Sequence, residues 1–142
     1  MLRVSAKVDY AIRALAALAR ASPAPVKGDR LATDHAIPFR FLEVTLGELR
    51  HCGLIRSRRG SDGGYWLARP ATDISMADIM IAIEGSIVDV RAVGPNNASE
   101  ATAIALQSVW DHAERDLDTL FRSVTLADLI APREGSPTEA SS

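Results

Sequence analysis

Arginines flanking a glycine-rich stretch form the densest chemical signal in the chain. Arg56, Arg58 and Arg59 lead into Gly60-Ser61-Asp62-Gly63-Gly64-Tyr65. Guanidinium groups at the neck of a turn without bulky side chains suit a narrow basic tip, able to approach phosphates closely or enter a minor groove. A nucleotide-phosphate loop is a poorer reading, because no Lys-Ser/Thr follows the glycines and no helix opens after them. Upstream, Pro38, Phe39, Arg40, Phe41, Glu43 and Val44 open a helix with residue types that read base edges. Arginine bonds guanine bidentately, glutamate accepts from the cytosine amine, and an apolar side chain meets the thymine methyl. With Lys7, these two groups make up the expected DNA-binding set.

Other chemistry is sparse. Cys52 is the single cysteine, which excludes a disulfide framework and any zinc or iron–sulfur site built from several thiolates. Beside Arg50 and His51 it can serve as a redox thiol, but a small buried hydrophobe is the plainer reading. His35, His51 and His112 show no ligand spacing. No nucleophile–base signature appears, so no catalytic residue, metal or cofactor is expected. Trp66 and Trp110 can line an effector pocket, although Trp110 falls in a helical seam that core or dimer packing explains.

These residues need a scaffold, and the composition supplies a helical one. The chain has 142 residues, 47% hydrophobic and 5% aromatic, enough for one packed domain plus an arm. Charge is divided: residues 1–70 hold 12 Lys and Arg against 6 Asp and Glu, and residues 71–142 hold 4 against 12. A net +6 on one half and −8 on the other suggests a basic half that meets a polyanion. The apolar run Ala14 to Ala19 is too short for a signal-peptide core or a membrane span, so a cytoplasmic protein with no membrane partner is expected.

Ser5 caps a first helix to Ala21, whose apolar face is Val8, Ile12, Leu15 and Ala19. Ser22-Pro23-Ala24-Pro25 stops it. A second helix spans Gly28 to His35, and Ala36-Ile37 makes a turn. A third, with Pro38 at its first position, runs to Cys52 and buries Leu42, Leu46 and Leu49. Gly53 closes that helix in the left-handed position, and Gly47 inside it costs roughly 1 kcal/mol relative to Ala. The period then changes to a hairpin, 54–58 returning at 65–68. Ser75-Met76-Ala77-Asp78 opens a further helix to Glu84, and the longest helix runs from Ser99 to about Ser123, before a Thr125 cap. Its Ala103, Leu106, Trp110, Ala113, Leu117, Leu120 and Val124 alternate in steps of three and four, a heptad seam expected to form a homodimer interface. The predicted fold is mainly α, a winged helix-turn-helix domain with a long C-terminal dimerisation helix. The expected division is 1–85 for the DNA-binding domain, 86–98 for a linker or effector loop, 99–131 for dimerisation and 132–142 for a disordered tail.

Six segments resemble the Rrf2 family of bacterial regulators: Lys7 to Leu15 (KVDYAIRAL), Phe41-Leu42-Glu43, Leu49 to Ile55 (LRHCGLI), Arg59 to Pro70 (RGSDGGYWLARP), Ile74 to Gly85 (ISMADIMIAIEG) and Thr125 to Leu129 (TLADL). The resemblance covers about residues 2–130, and its specific part is the Arg-Gly-x-x-Gly-Gly-Tyr wing beside Cys-Gly-Leu-Ile. It implies a homodimeric winged helix protein on an imperfect palindrome, usually a repressor. It also implies a sensor, an iron–sulfur cluster held by three cysteines before the long helix. Asp9 matches a position that supplies a cluster ligand across the dimer in the nitric-oxide-sensitive members. Ser86 to Ser99 contains no cysteine, so a member without the cluster is expected, with Asp9 as a first-turn helix acid. The reading is a sequence-specific regulator bound to double-stranded DNA, with a small-molecule or protein effector as a further partner. The alternative is a dimeric helical adaptor or effector-binding protein.

Overall fold

The structure, a computed structural model, describes residues 5–85 and 101–132. The expected linker, 86–98, lies outside them, as does the expected tail beyond Pro132. The elements are α1 (Ala6–Ala21), α2 (Gly28–Asp34), α3 (Phe39–His51), β1 (Ile55–Arg58), β2 (Gly64–Leu67), α4 (Met76–Glu84), α5 (Ala101–Ser123) and α6 (Leu126–Ile130), with a 3-10 turn at Ala71–Asp73. The mainly helical, winged order matches the expectation, with described ends displaced by no more than a residue; the expected start of the long helix at Ser99 lies outside the described residues. Pro38 is the N-cap of α3 rather than its first helical residue, and its carbonyl takes the Leu42 amide at 2.9 Å.

One stripe was expected to be buried on α1, but burial extends well round it: Val8, Ala11, Ala14, Leu15, Ala16 and Leu18 are buried, while Ile12 and Ala19 are only half-buried. The cause is position. α3, α4, α6 and β2 all pack against α1, and its alanines let neighbouring backbones come close on several sides. Ser5 starts the helix by accepting from the Val8 amide, and its hydroxyl also donates to Glu84 at the end of α4.

Two helix ends are closed alike. After α2, the Ile37 amide reaches the Ala32 carbonyl at 3.0 Å and the Ala36 amide the Thr33 carbonyl at 3.5 Å. After α3, Leu54 reaches Leu49 and Gly53 reaches Arg50, both at 3.0 Å. Each pair is a Schellman cap, which needs a left-handed residue followed by an apolar one. Gly53 takes that backbone at φ +78°, and Ala36 takes it at φ +52° in the helix-turn-helix turn. Ile37 and Leu54, the apolar followers, are both buried.

The C-terminal end of the chain returns to this body. Ser75 and Thr125 each cap a helix in a capping box, with Asp78 and Asp128 reaching back to the cap amides. The two caps lie side by side: the Met76 amide donates to the Val124 carbonyl at 2.8 Å and the Leu126 amide to Ile74 at 2.7 Å. Leu126 is fully buried in the cluster that holds Leu15, Leu46 and Ile74. Residues 126–130, which the expected division groups with the dimerisation helix, thus pack into the winged body.

Gly47 lies mid-helix in α3, and a β-carbon built there meets nothing within 4 Å. Gly47→Ala should therefore raise unfolding stability by about 0.5–1 kcal/mol, the helix-propensity difference. Urea denaturation checks this; a loss of stability would mean that α3 needs close approach at that point.

Candidate nucleic-acid interface

The turn at Ala36 aims α3 so that one end of it is presented to solvent. Leu42, Thr45, Leu46 and Leu49 face the core, which leaves Phe39, Arg40, Phe41, Glu43 and Val44 exposed at its N-terminal half. Val44 is 58% and Phe39 48% exposed, so both apolar side chains are accessible to a ligand. Phe41 is anchored, its ring edge-on to Tyr10 of α1 with centroids 5.3 Å apart. Arg40 and Glu43 make no ion pair or side-chain hydrogen bond among the described residues, so their groups are available to a ligand.

The hairpin is the second component. β1 and β2 pair antiparallel with Ile55 opposite Leu67, Arg56 opposite Trp66, Ser57 opposite Tyr65 and Arg58 opposite Gly64. Because side chains alternate, Ile55 faces the core while Arg56, Arg58 and Trp66 share the outer face. At the tip, a β-carbon on Gly63 would sit 2.1 Å from the Arg58 carbonyl oxygen. One on Gly64, at φ +142°, would sit 2.7 Å from the Val26 carbonyl oxygen. That approach exists because Val26 exchanges two hydrogen bonds with Tyr65, of 2.9 and 2.8 Å. The adjacent Lys27 donates from Nζ to the Gly60 carbonyl at 2.8 Å. The wing is thus clamped to the segment before α2. Val26 and Lys27 were not among the expected site residues: a one-residue bridge is too short for any alternation pattern to reveal.

Between α3 and the wing lies a cleft of about 340 Å³, lined by Lys27, Gly28, Asp29, Phe39, Glu43, Arg58, Arg59, Gly60 and Tyr65 among others. Major and minor grooves are separated by one sugar–phosphate strand, so a helix in one and a hairpin in the next must straddle that strand. The cleft has the place and, through Lys27, Arg58 and Arg59, the charge for it. Ser61 is exposed at the tip. Two expected residues are elsewhere. The Lys7 ammonium is held by Glu48 at 2.7 Å, tying α1 to α3. Arg56 lies at the root of the wing with Arg50, Trp66 and Arg69.

The expected seam of α5 is divided. Leu106 (47%) and Leu120 (51%) are exposed, as are Ile104 and Val109 outside the seam. Ala103, Trp110, Ala113, Leu117 and Val124 are half-buried within the protomer, because α5 leans on α4. A uniform seven-residue stripe is therefore not free on this helix.

A family model named Rrf2, described as an iron-dependent transcriptional regulator, matches residues 4–132. An HTH-type transcriptional regulator of Mycobacterium tuberculosis is 42% identical over 130 residues, 90% of this chain and 81% of that one. Among solved structures, CymR, the global cysteine regulator of B. subtilis, superposes with a TM-score of 0.80 at 27% identity, covering 94% of this chain and 100% of that one. IscR of T. potens gives 0.73 at 32% identity, covering 91% and 86%. The family description names iron, and the described residues bring together no set of donors for it. Cys52, the single cysteine, is exposed at the end of α3 with Sγ 4.0 Å from the Ala82 carbonyl. Asp9 is paired to Arg13 at 3.0 Å. Among the described residues no three His, Cys, Asp or Glu stand close enough to hold a metal. Soft iron sites need several thiolates or imidazoles together, and this chain does not assemble them.

The clamp on the wing yields a test. Gly64→Ala forces a side chain into the Val26 backbone at a positive φ, which costs about 1–3 kcal/mol. Amide exchange should show Val26 and Tyr65 losing protection while the α1 core keeps its own; unchanged protection at both amides would refute the clamp.

Proposed function

The chain belongs to the Rrf2 family of transcriptional regulators, and on that premise we propose that it binds a palindromic operator as a homodimer and represses by occupying it. The single observation that carries this reading is the basic cleft between an exposed recognition helix end and a clamped, glycine-tipped wing. In the proposed mechanism Arg40 and Glu43 read base edges in the major groove, and Phe39 and Val44 contact thymine methyls. Lys27, Arg58 and Arg59 hold the intervening phosphates, with the tip Gly60-Ser61 directed to the minor groove. Lys7 and Arg56 are left out of this set, Lys7 because Glu48 already holds it. Recognition is assigned to the polypeptide alone, a reading supported by the single cysteine of the sequence.

Homodimerisation through α5 is supported by the exposed apolar residues that share one of its faces, Leu106, Val109 and Leu120. A second copy would cover them by an isologous contact and set the spacing of two half-sites. The half-buried Leu117 is a poorer probe than Leu106, because a charge there would also strain the contact with the protomer's own body.

Selection of bound genomic fragments by the purified protein would supply the operator and an assay. Affinity should fall steeply with salt, because several cationic contacts per half-site release counterions. A flat dependence would favour an adaptor whose partner is another protein. Arg40→Ala and Glu43→Ala should each lose about 1–3 kcal/mol of discrimination at one base pair per half-site; variants with wild-type preference would displace the reading surface.

Leu106→Glu places a charge where the mate should bury it, at a cost of several kcal/mol. The variant should sediment as a folded monomer with greatly weakened operator binding. A folded dimer would move the interface off α5.

A further inference from the structure

The root of the wing carries a second concavity that the proposed DNA contacts leave unused. It has a volume of about 480 Å³ and is lined by Arg50, Arg56, Arg69, Trp66 and the β1 backbone around Ile55 and Ser57. Its lining has three guanidinium groups and no carboxylate. The cleft at the wing tip, by contrast, includes Asp29 and Glu43. Arg56 and Trp66 are directly opposed across the two strands and so share one face. Arg56 has no ion pair or side-chain hydrogen bond among the described residues. Arg69 has only a long contact of 3.7 Å to Asp78, whose carboxylate already serves the cap of α4. Arg50 donates to the Ser57 hydroxyl at 3.1 Å and retains further N–H groups.

Distance separates the Arg50 end of this groove from the base-reading end of α3. Arg50 is ten residues along α3 from Arg40, a rise of about 15 Å. Arg56 is four residues along the hairpin from the tip at Gly60, roughly 13 Å of strand. Arg50 thus lies far along α3 from the base-reading residues, while Arg56, two residues or roughly 7 Å of strand from Arg58, borders the proposed phosphate contacts. Three arginines lining one groove supply fork-shaped donors suited to the oxygens of a phosphate or carboxylate, and Trp66 lines the same groove with an indole suited to a planar ring. The volume falls within the range of about 300–1,000 Å³ typical of small-ligand sites.

We infer that this groove is a binding site for a small organic anion that joins a phosphate or carboxylate to a planar ring. The guanidinium groups take the anion and Trp66 takes the ring. The Arg50–Ser57 bond links the C-terminal end of α3 to the wing, and the N–H groups that Arg50 retains can take an anion beside that link. The site needs no DNA, and its test is independent of the regulatory reading.

The chain has two tryptophans, so Trp110→Phe leaves Trp66 as the sole indole emitter. Adenosine monophosphate is the probe, carrying both features; adenosine lacks the anion and a tetraglutamate peptide lacks the ring. Adenosine monophosphate should quench Trp66 saturably, and Arg56→Ala should raise the half-saturating concentration about tenfold or more, as loss of a charge-assisted bond requires. Adenosine should not quench. No saturable quenching, equal quenching by adenosine, or quenching that survives Arg56→Ala would overturn the site. Tetraglutamate displacing the nucleotide at equal concentration would overturn the ring requirement and make the groove a docking surface for acidic protein. Should Trp110→Phe fail to fold, the same titration on the wild-type and Trp66→Phe proteins gives the quenching as their difference, judged in the same way.

Discussion

Burial of α1 on several sides at once is the constraint from which the remaining geometry follows. Ala11, Ala14 and Ala16 interleave with Val8, Leu15 and Leu18, so α3, α4, α6 and β2 can all approach the one helix. Small residues permit the approach, and the large ones supply the apolar area, worth about 1.5–3 kcal/mol for each fully buried aliphatic side chain. Each packed element then delivers a part of the surface. α3 presents its N-terminal half, β2 holds the root of the wing, and α6 ties the end of α5 to the same body.

The proposed reading surface is held mainly by backbone hydrogen bonds. Two Schellman caps fix the directions in which the chain leaves α2 and α3. The paired bonds between Val26 and Tyr65, with Lys27 on the Gly60 carbonyl, fix the wing relative to the start of α2. These bonds join the wing to the segment that leads into α2 and α3, and so favour a cleft formed before any ligand arrives. Preorganisation of this kind lowers the ordering cost of binding. It also explains the close-approach glycines Gly63 and Gly64, where any side chain would collide with neighbouring backbone.

Much of this was legible in the residues. The period of Leu42, Leu46 and Leu49 gave α3 its buried face, the change of period at Leu54 gave the hairpin, and Ser75 and Thr125 gave caps that the structure shows as full capping boxes. What escaped shares a physical cause: it depends on contacts between segments distant in sequence. Lys7 reads as a free cation until Glu48 is placed beside it. Arg56 reads with Arg58 and Arg59 until the length of the strand places it nearer the root of the wing, beside Arg50 and Arg69. Val26 is one residue of strand and has no period to read. The seam on α5 is regular in sequence, yet α4 already covers part of it, so only Leu106 and Leu120 of its residues are exposed.

The account rests on one phosphodiester strand passing between α3 and the wing. Phosphate-ethylation interference on a selected operator tests this directly. The strongest interference should fall on the few phosphates between the major-groove contact of Arg40 and the adjacent minor groove, repeated symmetrically in both half-sites. Interference that is absent from those phosphates while the protein remains bound would contradict the placement of the strand in the cleft.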